Sequence, residues 1–77
     1  MENKKCNYNQ LISLKLHMCY MVQRYADEGA FYLYSDILHC KSFMFWMLGC
    51  ADDTVYIQDR IDLYNFMSSI ETYLLTV

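Results

Sequence analysis

The chain carries three blocks in which apolar residues recur with a helical period, and the first two blocks end near glycines, Gly29 and Gly49. In the first block Leu11, Leu14, Met18, Val22 and Tyr25 form one stripe. Ser13, His17, Arg24 and Asp27 form the opposite one, with Tyr20 between them. A strand competes over part of this block, because Ile12, Leu14, Leu16, Met18 and Tyr20 alternate with Ser13, Lys15, His17 and Cys19. Such a strand would be longer than most, whereas a helix accounts for the whole span. A helix over about 9–28 is predicted, with Asn7 or Asn9 as its cap.

In the second block Leu33, Ile37, Cys40, Met44 and Met47 form a core-facing line, and a helix over about 31–48 is predicted. Its polar stripe is Ser35, His39 and Ser42. The next positions on that stripe are Trp46 and then Gly49, so a line that begins as solvent-facing ends in the lone tryptophan. Phe43 to Leu48 is an unbroken run of large apolar residues. Each turns a helix by about 100°, so the run wraps the circumference. Two neighbouring helices cannot cover such a surface on every side.

The third block predicts a helix over about 53–75, capped by Asp52 or Asp53. Ile57, Ile61, Tyr64, Met67, Ile70 and Leu74 run down its apolar side, and Leu63, Phe66 and Tyr73 widen that side. Gln58, Asp62, Asn65, Ser69, Thr72 and Thr76 form its polar side. There is no proline, and Gly29 and Gly49 suit left-handed positions just past helix ends. Connections this short predict antiparallel neighbours. The expected fold is therefore all-α: one small domain over residues 1–77, a three-helix up-down-up bundle, with dimerisation into a larger helical bundle as its variant. The first turn would put Cys19 level with Cys40. The second would put Trp46 level with Ile57 and Phe43 level with Arg60.

Composition sharpens the picture. A chain of 77 residues has one small core, yet 56% of its residues are hydrophobic and only 19% charged. Ordinary chains are about 45–50% apolar and about 25% charged. The surplus predicts an apolar surface beyond the core, and so a homo-oligomer or a heteromer. Trp46, Phe43, Phe45, Tyr32, Phe66 and Tyr73 are the candidate partner-binding residues, since tryptophan and tyrosine anchor interfaces. The six methionines and eight tyrosines fit either an adaptable surface or a soft core. No apolar run approaches the roughly 20 residues of a membrane span. The opening MENKKCNYNQ is not followed by an uninterrupted apolar run, so no export signal and a cytosolic location are expected.

Net charge is −3, which argues against general nucleic-acid binding. Asp59 and Asp62 mark an acidic face in the carboxy-terminal third, suited to a basic partner or simply to water. Cys6, Cys19, Cys40 and Cys50 contain no C-x-x-C spacing, and His17 with Cys19 or His39 with Cys40 are too close along a helix to face one ligand. Free thiols, no metal and no cofactor are expected. A nucleophile, a base and a group to orient it are not found together in any recognisable motif, so no catalytic residue is assigned. The functional expectation is a small non-enzymatic protein-binding module that acts stoichiometrically as an inhibitor, antitoxin-like regulator or adaptor. Small motif-free phage and mobile-element proteins supply the class analogy. Two alternatives stand beside it. One is a small dimeric transcriptional regulator using Lys4 and Lys5 as an arm; the other is a structural subunit of a larger assembly.

Overall fold

A computed structural model describes residues 5–76, and these form three α-helices. They are α1 (Tyr8–Glu28), α2 (Leu33–Gly49) and α3 (Ile57–Thr76). The strand alternative for the first block is thereby excluded. Lys4 lies outside the described residues.

The start of α1 follows from its sequence. Asn7 is extended, its side chain accepts from the Gln10 backbone N–H at 2.9 Å, and Gln10 accepts in return from the Asn7 N–H at 2.9 Å. This reciprocal box satisfies two of the amides that a helix leaves orphaned. Gly29 ends the helix at φ +64°, a left-handed conformation that costs glycine little. The chain then turns on its own backbone: the Phe31 N–H donates to Gly29 O and the Leu33 N–H to Ala30 O.

The second connection differs from expectation. Gly49 is the last residue of α2 and is not left-handed; Cys50 ends the helix at φ −108°. Asp52 does not cap α3. Its carboxylate accepts from the Thr54 N–H and the Thr54 hydroxyl, closing a local turn that the Val55 N–H completes by donating to Asp52 O. The helix begins at Ile57, four residues later than predicted, and Asp59 accepts from the N–H of the preceding Tyr56 at 3.1 Å. A long-range contact holds the connection open. The Cys6 N–H donates to Cys50 O at 2.9 Å and the Asp52 N–H to Cys6 O at 2.8 Å, an isolated parallel bridge to Ala51. The Tyr8 N–H adds a bond to the Thr54 hydroxyl at 2.8 Å.

The contacts establish the up-down-up order. Lys41 meets Glu71, Phe45 meets Tyr64 and Arg60 meets the Leu48 carbonyl, so α2 and α3 run antiparallel. Tyr8 meets Thr54 and Lys15 meets Phe66, so α1 and α3 run parallel. These pairs also correct the level of the second turn. Phe45 stands level with Tyr64, so Trp46 is not level with Ile57 nor Phe43 with Arg60, because the later start of α3 slides it along α2. The core takes Leu11, Met18, Met21 and Tyr25 from α1, Leu33, Ile37, Met44, Met47 and Leu48 from α2, and Leu63, Met67, Ile70 and Leu74 from α3. Cys6, Ala30 and Val55 close its ends. The five described methionines are all buried, so they fill the core rather than the surface. The predicted buried line of α3 is corrected: Leu63 is in it, while Ile57, Ile61 and Tyr64 are exposed.

Candidate protein-docking surface

The outer side of α2 follows directly from its inner side. Leu33, Ile37, Met44, Met47 and Leu48 occupy the arc that α1 and α3 cover. Residues two positions away on a helix point about 200° round the axis. Trp46 therefore faces away from Met44, and it is 56% exposed where Met44 is 0%. Phe43, one turn earlier, stacks on the Trp46 indole at 5.6 Å with an interplanar angle of 27°. Phe45 points toward α3, and its ring meets Tyr64 at 5.7 Å. From Tyr64 the exposed line continues along α3 through Ile61 to Ile57, which is 77% exposed. The result is one apolar band: the Phe43–Trp46 stack on α2, the Phe45–Tyr64 pair across the seam, and the two isoleucines.

The sequence-predicted residues are therefore partly brought together. Trp46, Phe43 and Phe45 share this band. Tyr32 does not join it, since it precedes α2 at the other end, about 20 Å away along the helix. There its hydroxyl accepts from the Arg24 guanidinium at 3.0 Å, and Arg24 also pairs with Glu28 at 3.2 Å. Phe66 faces α1, half-buried against the core with the Lys15 ammonium 5.3 Å from its ring centre. Tyr73, two turns further along α3, is likewise half-buried. Asp59 is occupied in holding the Tyr56 amide and Asp62 accepts from Gln58 at 2.9 Å, so the acidic face is made of local helix contacts. Sequence reasoning missed Ile57, Ile61 and Tyr64 as surface residues. The signal was present as width: α3 carries more apolar residues than one buried arc holds, and the excess had to face outward.

Burial pushes the Cys40 thiol pKa up, and Asp36 pushes it further, the opposite of what a nucleophilic thiolate requires. Burial likewise raises that of Cys6, helped by Cys50 and Asp52. His17, His39, Asp36 and Cys40 share a shallow groove of about 420 Å³ between α1 and α2, yet no three His, Cys, Asp or Glu residues among those described are grouped to hold a metal ion. All four cysteines are free thiols. No described helix is long and apolar enough to cross a membrane. What the band offers is non-polar and aromatic contact: flat, stiff rings in which little rotamer freedom is lost on docking.

Comparison with known proteins gives no match to a protein-family model, to a curated protein or to a solved structure.

Proposed function

We propose that this protein is a non-enzymatic interaction module that acts stoichiometrically, as an inhibitor, regulator or adaptor, by docking its α2–α3 face on a protein surface. The observation that carries this reading is the exposed band of Phe43, Trp46, Phe45, Tyr64, Ile61 and Ile57. Four half-exposed aromatic rings and two isoleucines present roughly 600 Å² of apolar surface, at the upper end of the largest patch on an ordinary monomer. Each of these residues keeps between 43% and 77% of its surface exposed in the folded chain. Tryptophan and tyrosine at the centre of such a band are the residue types that dominate binding energy at interfaces.

The test is affinity capture with the full chain and with a Trp46→Ala, Tyr64→Ala double variant. A protein retained in stoichiometric amount by the wild type and lost by the variant, with the helical circular dichroism and melting temperature unchanged, is the expected result. Retention by the double variant would overturn the reading, and so would its unfolding, which would assign these rings to the core.

A further inference from the structure

Resting on that reading of the α2–α3 face, we infer that its occupant is a second copy of this chain, related by a twofold axis that passes close to Trp46 and Gly49.

The first argument is shape. Gly49 lies three residues after Trp46 and four after Phe45, so all three share one face of α2. Its φ is not left-handed, and a Cβ placed there would meet no atom within 4 Å beyond its chain neighbours and its own helix backbone. Neither backbone conformation nor internal packing asks for glycine at this position, where alanine favours a helix. Gly49 instead leaves open space, a notch on the face of α2 that it shares with Trp46, which is 56% exposed. A twofold contact is self-complementary, because each copy must present both the projection and the recess that receives it. One face of this helix carries both.

The second argument is charge. A twofold interface sets identical residues opposite one another near its axis, so like charges there would repel. Although the chain carries a net charge of −3, the band from Phe43 to Ile57 contains none. Arg60, which neighbours Ile61, is drawn inward, donating to the Leu48 carbonyl at 2.7 Å. Lys41 on the same side of α2 is paired with Glu71 at 2.7 Å. The Lys41–Glu71 pair at the edge of the band neutralises itself, so a second copy meets no net charge there.

The third argument is area. Roughly 600 Å² from each copy gives about 1,200 Å² in total, which reaches the lower bound of stable specific interfaces. By the register that sets Phe45 beside Tyr64 and Leu48 beside Arg60, Gly49 lies level with Asp59 and Arg60, between Ile57 and Ile61 along α3. A ring entering the notch would therefore land between α2 and the exposed isoleucines of α3 and bury them as well.

Sedimentation equilibrium on the full reduced chain, over a concentration series, tests the inference. The wild type should give a monomer–dimer equilibrium that closes at two copies. Trp46→Ser should raise the dimer dissociation constant by about 30-fold or more. Gly49→Leu, which fills the notch and favours the helix, should raise it similarly while leaving the melting temperature of the monomer unchanged or higher. A wild type that stays monomeric at high concentration would overturn the inference. If that monomer still bound a hydrophobic dye at the band and lost the dye on Trp46→Ser, the docking-surface reading would survive with a different occupant. A dimer unaffected by both substitutions would place the twofold elsewhere and overturn the inference, as would a mass that grows without closing.

Discussion

Met44 and Trp46 stand two residues apart on α2 and meet opposite environments. Met44 has no exposed surface and sits among flexible thioethers and branched aliphatic chains from all three helices. Trp46 lies on the outer side, supported by Phe43 alone among the ring contacts of the described residues. The difference teaches that an apolar run around a whole helix contains two kinds of residue with two kinds of task. On the inner arc this chain uses methionine, leucine and isoleucine, which fill the irregular space between three helices. On the outer arc it uses aromatic rings, which are wasteful in so small a core and well suited to a second surface.

The largest expected effect tests the inner side. Met44→Ala removes a fully buried side chain and should cost about 2–5 kcal/mol, a large share of the stability of a domain this size. Trp46→Ala, measured at a concentration where the chain is monomeric, should change stability by less than about 0.5 kcal/mol, as surface substitutions usually do. Denaturant unfolding of both variants checks the pair. A loss of several kcal/mol at Trp46 would dissolve the contrast and make the aromatic run ordinary core.

The contrast explains what could be read from the sequence. The inner line of α2 was legible, because Leu33, Ile37, Met44 and Met47 sit opposite Ser35, His39 and Ser42. The outward position of Trp46 followed from the same stripe. In α1, Leu11, Met18 and Tyr25 were read correctly and Met21 was missed, since it lies at the edge of the stripe nearest α2. The failure came in α3. That helix has two apolar lines, one through Leu63, Met67, Ile70 and Leu74 and one through Ile57, Ile61 and Tyr64, and local periodicity ranks them equally. The choice depends on where the helix starts, and that start follows a turn closed by Asp52 and Thr54 and joined to Cys6 by the bridge at Ala51. A contact between positions so far apart leaves no mark on local pattern. Tyr32 was misplaced for a simpler reason: aromatic character alone carried it, and no spacing argument tied it to Trp46. The face of α3 that joins the α2 surface depends on that register, so half of the candidate site was illegible for the same reason.

The two glycines give the next contrast, with smaller effects of opposite sign. Gly29 is left-handed, and Gly29→Ala should destabilise by about 1 kcal/mol or somewhat more, since an L-residue is strained there. Gly49 is helical and open, and Gly49→Ala in a Trp46→Ser background should stabilise the monomer by about 0.5 kcal/mol. That background separates folding from association. Thermal melts of both variants at one concentration provide the measurement. A destabilising Gly49→Ala would mean that the fold itself needs glycine at the end of α2, and the notch would then have a purely structural origin.

The smallest effect concerns the connection that brings α3 against the outer side of α2. Asp52 accepts bonds from the Thr54 hydroxyl and amide, and these hold its carboxyl below the usual range, with a further small contribution from Lys5. A carboxyl whose folded pKa is depressed binds its proton more weakly in the folded chain than in the unfolded one. Its contribution to stability is therefore complete above the ordinary aspartate range and is lost as pH falls through the folded value. Asp52→Asn retains an acceptor for Thr54 but removes the titration. The wild type should be the more stable at neutral pH, and the two melting temperatures should converge as the solution is made acidic. Because Asp52 is at the surface, the gap should be small and should shrink with salt. Curves that stay parallel down to strong acid would show that the turn is held by its backbone bonds alone. The seating of α3 beside Phe45 would then rest on the Cys6 bridge and not on this carboxylate.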